Sequence, residues 1–206
     1  MLAALLLAFA PSAAAATHEV SFEVGWIGAY DPAWDLFSSG DALPSYGLRL
    51  GFAVHDNVAL IAGWQHAVHG GSVSVDAYGT DEYGYESTFR AAMYTDQINV
   101  GAKADVKVWS WLHPYVTAQA VGMRGLARLD DDAGDDENLT QVQVAGLTGG
   151  FTGAAGLDFL IPVKGRVAIA PYIELGYGWM APLALRDLGS VQFGGFAGRS
   201  GVGVRF

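Results

Sequence analysis

A strict alternation of apolar residues with small or polar residues is the strongest constraint in this sequence. In residues 46–55 the apolar set is Tyr46, Leu48, Leu50, Phe52 and Val54, and the set between them is Gly47, Arg49, Gly51, Ala53 and His55. A period of two places these sets on opposite faces of a β-strand. One face would meet an apolar medium and the other a narrow polar interior, a pattern typical of strands in transmembrane β-barrels.

The same alternation predicts seven further strands. A short turn at residues 55–57 leads into a returning strand from Val58, which completes a hairpin. Others are predicted over residues 19–28, 92–106, from 113 onward, 148–161, 167–179 and from 195 to the end. In the strand over 92–106 the inward row is too polar for a soluble core: Thr95, Gln97, Asn99, Gly101 and Lys103. Eight is an even number, so both termini fall on one side of the barrel.

The first residues predict export from the cytoplasm. Residues 1–16, MLAALLLAFAPSAAAA, combine an apolar stretch with small residues that fit cleavage near Ala16, although the usual positive charge is missing. The alternative is a short buried helix. We therefore expect a cleaved signal peptide over 1–16 and a barrel over 17–206. No later window of 18 apolar residues occurs, so an exported chain that spans a membrane must do so as a closed barrel.

Composition excludes several classes of partner and site. The chain has no cysteine, so it has no disulfide framework, no cysteine-based metal site and no lipid-attachment cysteine. Its formal net charge is -10, and its 11 Lys and Arg residues are spread along the chain. A nucleic-acid partner would need a basic patch, so we expect none. We also expect no cofactor and no metal.

The predicted connections fall into two length classes. Short ones lie at residues 55–57, 107–113 and 162–166, and long ones at 30–44, 67–90, 126–145 and 181–193. This predicts short periplasmic turns and long extracellular loops. The third loop carries an acidic run of Asp130 to Asp132, Asp135, Asp136 and Glu137, whose spacing does not match a calcium loop. We interpret it as solvated, with divalent bridging to lipopolysaccharide phosphates as a hypothesis.

Aromatic residues sort toward both ends of the predicted strands. Following each strand's direction, the extracellular rim receives Trp26, Tyr46, Trp64, Tyr94 and Trp179, and the periplasmic rim receives Trp109, Trp111, Phe159 and Phe206. Membrane β-barrels carry aromatic girdles at both interfaces. The sorting of aromatic residues to both ends is a partly independent check on the topology.

The last residues and a weak internal repeat carry a family resemblance. The chain ends in Phe206, with Val204 and Val202 two and four positions before it, which resembles the signal that the barrel assembly machinery recognises. His113-Pro114-Tyr115-Val116 is repeated as Ala170-Pro171-Tyr172-Ile173. With the leader, these features resemble the small outer-membrane barrel families represented by OmpX, OmpW and the OmpA membrane domain.

That resemblance implies an all-β fold, an eight-stranded antiparallel up-and-down transmembrane β-barrel located in the bacterial outer membrane. It also implies contact with outer-membrane lipids and lipopolysaccharide, insertion by the barrel assembly machinery through the C-terminal strand, and a monomer. It specifies fold and location better than activity, because function in this fold depends on its loops.

Charged residues are predicted on the inward faces of the strands. They are Glu23, Arg49, Lys103, Asp158, Glu174, Arg199 and Arg205. Side chains just fill the interior of an eight-stranded barrel, and buried charges are tolerated only when compensated. We therefore predict a network of ion pairs that plugs the lumen. The alternative is a gate of exchangeable pairs that lets small ions through.

Three functions are compatible with this sequence. A structural or surface-interaction role through the extracellular loops is favoured, and a narrow channel for small ions or small apolar solutes is the alternative. The third is a lipid-modifying enzyme, for which only His66 and His69 lie near the outer rim and the H-x-S-N pattern is absent. The spacing of His66 and His69 also suits a metal, but no third ligand is positioned, so we predict no catalytic or metal residues.

Overall fold

The computed structural model describes residues 18–37, 40–77, 85–131, 142–165, 167–186 and 189–206. The predicted signal peptide over 1–16 and the acidic residues 132–137 lie outside the described residues. The only described helix is the short 3-10 helix Pro32–Leu36. Among the described residues, no helix combines the length and the apolar character needed to cross a membrane.

Eight long antiparallel strands form a closed ring. They are β1 (Glu19–Gly28), β2 (Ala42–His55), β3 (Val58–Ala77), β4 (Tyr85–Asp105), β5 (Leu112–Asp131), β6 (Val142–Phe159), β7 (Val167–Met180) and β8 (Gly194–Arg205). Each strand pairs with the next along the chain, and β8 returns to pair with β1 from Glu19↔Arg205 to Ile27↔Ala197. The predicted eight-stranded up-and-down barrel is confirmed.

Exposure alternates along each strand between the inside and the outside of the ring. On β1, Ser21 and Glu23 are each 1% exposed, whereas the neighbouring Phe22 is 52% exposed. On β7, Glu174 is buried and Leu175 is exposed. Polar residues therefore face the interior and large apolar residues face outward, the reverse of a soluble protein.

The two ends of the barrel differ in their connections. We call the end that holds the short connections, His18 and Phe206 the turn end, and the opposite end the loop end. At the turn end, β2 joins β3 through residues 56–57, and β4 joins β5 through residues 106–111. The third predicted bend instead contains a short strand, Ile161–Lys164, that pairs with the start of β7 before the chain turns at Gly165 with φ 61°.

The predicted loops over 67–90 and 126–145 are largely wrong as loops. Strand β3 continues to Ala77 and pairs there with Tyr85, while β5 continues to Asp131 and β6 begins at Val142. In these segments the row of alternate positions that is apolar lower in the strand becomes small or polar, as where Val68 is followed by Gly70, Ser72 and Ser74. Backbone hydrogen bonds between neighbouring strands do not require an apolar face, so the ladders extend beyond the apolar region.

The other two predicted loops, 30–44 and 181–193, fold back over the end of the barrel. The first holds the 3-10 helix, and β2 begins at Ala42 rather than at Tyr46. The second holds a small antiparallel pair, Leu183–Ala184 with Ser190–Val191. Both contribute buried apolar side chains, which the prediction of long extracellular loops over these segments did not include.

Candidate functional site: the barrel interior

Four charged side chains form a compact group near the turn end, which we call the turn-end tetrad: Glu19, Lys103, Asp158 and Arg205. Arg205 Nε lies 2.8 Å from Glu19 Oε2 and also bonds Asp158. Lys103 Nζ lies 2.6 Å from Asp158 Oδ2 and 3.5 Å from Glu19 Oε2. Each cation therefore contacts both carboxylates, and the four side chains join strands β1, β4, β6 and β8.

A second group, the central tetrad, lies further inside and consists of Glu23, Arg49, Glu174 and Arg199. Glu174 accepts from Arg49 Nη1 at 3.1 Å and from Arg199 Nη1 at 3.2 Å, one bond to each carboxylate oxygen. Arg49 Nε also lies 3.9 Å from Glu23 Oε2. The side chains of these four residues are all less than a tenth exposed. Glu174 therefore binds two guanidinium groups, that of Arg49 from β2 and that of Arg199 from β8.

Each tetrad contains two carboxylates and two cations, so each is formally neutral. Charges taken out of water are tolerated when they are paired and their hydrogen-bonding groups are satisfied. The structure places all seven predicted lumen charges inside the barrel, Arg205 through its contacts with Glu19 and Asp158, and adds Glu19. The alternation indicates Glu19, because it lies two positions before the inward Ser21, but this residue at the start of the strand was not among the predicted charges.

Two inward tyrosines support the tetrads. The Arg49 guanidinium lies 4.0 Å from the centre of the Tyr172 ring, and Lys103 Nζ lies 4.2 Å from the centre of the Tyr115 ring. Tyr172 also donates its hydroxyl hydrogen to Glu23 Oε2 at 2.7 Å. Cations placed over aromatic faces are stabilised, more strongly where water is excluded. The repeated Pro-Tyr pairs noted in the sequence therefore provide the two tyrosines that contact Arg49 and Lys103.

Amide side chains continue the polar interior toward the loop end. Gln65 Nε2 donates to Glu23 Oε1 at 2.6 Å, and Gln97 Nε2 donates to Asn99 Oδ1 at 2.7 Å. Gln119 Oε1 accepts from Arg199 Nη1 at 3.3 Å. These residues form an uncharged polar layer beside the central tetrad.

Beyond that layer the interior becomes apolar. Two segments from the loop end contribute six buried side chains, which we call the loop-end cap: Trp34, Phe37, Leu183, Leu185, Val191 and Phe193. Each is at most 1% exposed. The cap packs with inward residues of the barrel wall, including Met93, Met123 and Met180. This cluster was not predicted, although large apolar residues in segments 34–37 and 183–193 were a signal for it.

The aromatic residues predicted for the two girdles lie on the outward surface. Seven are more than a third exposed, namely Trp26, Tyr46, Trp64, Trp109, Trp111, Trp179 and Phe206, while Tyr94 and Phe159 are half-buried. At the turn end, Trp109, Trp111 and Phe159 stack in sequence, with Trp109 and Trp111 centroids 5.6 Å apart. The prediction missed Tyr177 and Phe196, which contact edge to face at 5.6 Å.

His66 and His69, the two histidines considered for catalysis or metal binding, contact neighbouring side chains. His66 Nδ1 lies 2.9 Å from Asp96 Oδ1, and its ring stacks on Trp64. His69 packs against Trp34 with ring centroids 5.5 Å apart. Among the described residues, no group of three or more possible metal ligands occurs.

Phe206 pairs with His18, the first described residue, where β8 meets β1. Its backbone N–H donates to the His18 carbonyl at 3.0 Å, and the His18 N–H donates to the Phe206 carbonyl at 2.8 Å. The side chains of Val202, Val204 and Phe206 are exposed on the outward face. The three positions predicted as an assembly signal therefore form a regular outward row that runs along β8 and ends at the residue after it.

The similarity between this chain and known proteins lies in the fold. No family model matches this chain, and no curated protein matches it. Among solved structures, it is similar to Ail, the attachment invasion locus protein of Yersinia pestis, with 13% identity and a TM-score of 0.52 over 94% of this chain and 100% of Ail. The structure of Ail with the heparin analogue sucrose octasulfate gives 14% identity and a TM-score of 0.51 over the same shares.

The neisserial surface protein NspA is similar at 15% identity and a TM-score of 0.42, covering 91% of this chain and 95% of NspA. At sequence identities this low, the similarity concerns the fold and carries no information on activity. The expected resemblance to small outer-membrane β-barrels is confirmed at the level of the fold.

Proposed function

We propose that this protein is a bacterial outer-membrane β-barrel with a structural or surface-interaction role, whose lumen is closed. The observation that carries this proposal is the combination of an outward apolar surface with a neutral, ion-paired interior. Only a surrounding bilayer makes it favourable to expose residues such as Phe22, Leu50 and Leu175 on all sides of a barrel. The closed strand ring leaves no unpaired edge within that bilayer.

The loop end provides the surface for interaction. Two hairpins, β3–β4 and β5–β6, are described as paired as far as Ala77↔Tyr85 and Leu129↔Val142. The other two long connections, after β1 and after β7, supply the loop-end cap and mainly close the interior. We therefore assign surface contacts to the ends of these two hairpins.

Lipid phosphates are the partner best supported at the outer surface. Cross-strand pairing places His66, Asp96 and Arg124 in one outward row, immediately beyond the row that contains Trp64 and Ile98. Asp96 pairs with His66, whereas the exposed Arg124 has no ion pair within the described part of the chain. An arginine at the bilayer interface binds phosphate oxygens well, so Arg124 suits phosphate groups of outer-membrane lipids and lipopolysaccharide.

The ligand in one Ail structure does not transfer easily to this chain. Sucrose octasulfate is a polyanion, and this chain has a formal net charge of -10, with Asp130 and Asp131 at the loop end of β5. Like charges repel a polyanion at long range. Lipid phosphates bound at single arginines, or bridged to carboxylates by divalent cations, fit this charge better.

A narrow channel for small ions or small apolar solutes is the second candidate. It is favoured by a cavity of about 240 Å³ at the turn end, lined by Glu19, Lys103 and Arg205 among others. A lipid-modifying enzyme is the third, and the structural surroundings of His66 and His69 give it no support. Insertion by the barrel assembly machinery and a monomeric state remain part of the proposal.

Surface labelling tests the proposed location and topology. The chain has no cysteine, so single cysteines can be introduced at Asp130 on β5 and at Lys164 in the third turn. A membrane-impermeant maleimide applied to intact cells should label Asp130→Cys and leave Lys164→Cys unlabelled until the outer membrane is permeabilised. Labelling of Lys164→Cys alone in intact cells would refute the topology, and equal labelling of both only after permeabilisation would refute surface exposure.

A further inference from the structure

The interior of the barrel is divided into a polar part and an apolar part, and the division has a consequence for permeability. From the turn end, the order is the cavity of about 240 Å³, the two tetrads, the amide layer and then the loop-end cap. The cavity is lined by Lys103 and Arg205 of the turn-end tetrad and reaches Arg49 of the central tetrad. Water that enters from the turn end therefore reaches the turn-end tetrad and Arg49.

Buried polar atoms lack protein partners at two depths of the lumen. Asp158 Oδ1 in the turn-end tetrad and Gln119 Nε2 in the amide layer have no hydrogen-bond partner among the described residues. Buried polar groups are almost always satisfied by protein or by ordered water. One ordered water beside each atom would satisfy it, the first near the turn end and the second beyond the central tetrad.

The loop-end cap is built from apolar side chains, which offer water no hydrogen-bond partners. Its members Trp34, Phe193 and Leu183 are each 0% exposed. The Trp34 ring packs edge to face on the Phe193 ring with centroids 5.6 Å apart, and Trp34 Nε1 donates to the Gly40 carbonyl at 2.7 Å. Tightly packed apolar regions stay dry, and apolar constrictions close pores by excluding water.

Contacts between the two cap segments hold the cap in place. The Gln192 N–H donates to Asp31 Oδ2 at 3.0 Å, which joins the segment after β7 to the segment after β1. Phe193 is followed directly by Gly194 and Gly195, with φ 149° and 83°. These two glycines allow the chain to turn from the cap into β8 at a conformation that other residues rarely adopt.

We propose that the loop-end cap, and not the ion-paired tetrads, is the barrier that closes this barrel to solutes. The lumen below the cap is a hydrated blind chamber that opens at the turn end and reaches at least to Gln119. This inference rests on the closed lumen of the proposed function and identifies the element that closes it.

Thiol accessibility in oriented lipid vesicles tests this inference. The probe position is Gln119→Cys, which lies between the central tetrad and the cap, and the reagent is Ag⁺, an ion close to water in size. Lys164→Cys serves as the marker of vesicle orientation. We expect Ag⁺ added on the turn side to consume the Gln119→Cys thiol, and Ag⁺ added on the loop side to leave it intact.

Opening the cap should reverse the second result. In the Gln119→Cys background, Phe193→Ser or Leu183→Ser should raise the rate of reaction from the loop side at least tenfold. Phe196→Ser is the matched control, because Phe196 is three residues away but faces outward at 65% exposure. Folding of every variant is checked by heat-modifiable gel migration, and the two cap positions provide independent tests.

The outcomes separate this inference from the proposed function. Loop-side reaction in the protein with an intact cap would overturn the cap as the barrier. Failure of folded Phe193→Ser and Leu183→Ser proteins to admit Ag⁺ from the loop side would show that the tetrads or the amide layer close the lumen instead. Neither outcome changes surface labelling at Asp130→Cys, which tests the proposed location.

Discussion

Arg49 and Glu174 meet inside the barrel, with Arg49 Nη1 3.1 Å from Glu174 Oε2, although their strands β2 and β7 are not neighbours in the ring. Glu174 is directly opposite Arg199 in the β7–β8 pairing and also contacts that residue. One carboxylate therefore connects a cross-strand pair to a distant wall. The interior charges act as ties between strands that the sheet itself does not join.

Neutralising Glu174 should destabilise the barrel strongly. Glu174→Gln leaves Arg49 and Arg199 without their shared carboxylate, and breaking a buried ion pair costs about 3–5 kcal/mol. The measurement is urea-induced unfolding in lipid vesicles. The matched control is Asp96→Asn, since the Asp96 side chain is 48% exposed in its pair with His66 and an exposed pair contributes about 0–1 kcal/mol. Equal losses in both variants would contradict the tetrad.

An outward arginine should be costly in proportion to its depth in the bilayer. Leu175→Arg places a cation on the lipid face in the middle part of β7 and should cost about 2–4 kcal/mol, whereas Val163→Arg, at the turn end, should cost about 0–1 kcal/mol. Both positions are more than 60% exposed in the barrel. The free energy of unfolding in vesicles checks this, and a tolerated Leu175→Arg would mean that this face does not meet lipid.

Adding one methyl group should distinguish inward from outward glycines. A Cβ at Gly156 would overlap the ring and hydroxyl of Tyr115, whereas a Cβ at Gly122 has no heavy atom within 4 Å. Overpacking a tight interior costs about 1–3 kcal/mol, so Gly156→Ala should destabilise by that amount and Gly122→Ala should change the free energy of unfolding little. Because Tyr115 lies under Lys103, a neutral Gly156→Ala would show that this ring is not held in place.

The alternation predicted the ring of strands and the facing of residues such as Glu23 and Leu50, because a period of two fixes which side chains share a face. It could not predict where β3 and β5 end, since those strands continue by backbone pairing after the apolar face has stopped. The alternation also could not predict which side chains pair with one another in the tetrads. Which cation meets Glu174 depends on strand register, and register is set by the closed ring rather than by any single strand.

The loop-end cap was missed for a different reason. Trp34 and Phe193 lie in segments without regular periodicity, so no pattern assigned them a face. Their size and apolar character indicated burial, but the expectation of polar extracellular loops took precedence. Large apolar residues in a barrel's long connections therefore deserve to be tested as lumen-filling residues.

Removing the terminal aromatic ring should affect insertion in cells more than intrinsic stability. Phe206→Ala removes the last residue of the outward row on β8 that resembles the assembly signal, while its backbone bonds to His18 remain. We expect a lower yield in outer-membrane fractions and little change in unfolding of refolded protein. Phe52→Ala is the control, because Phe52 also packs on His18 and is similarly exposed. Equal yields of the two variants in membranes would contradict recognition of Phe206.

Conductance of the unmodified protein in a planar lipid bilayer tests the closed, neutral lumen most directly. Ion-paired tetrads beneath an apolar cap predict a nearly silent barrel, with no steady current after confirmed insertion. A stable, large single-channel conductance from the unmodified protein would contradict the closed lumen and would establish the narrow channel as the function instead.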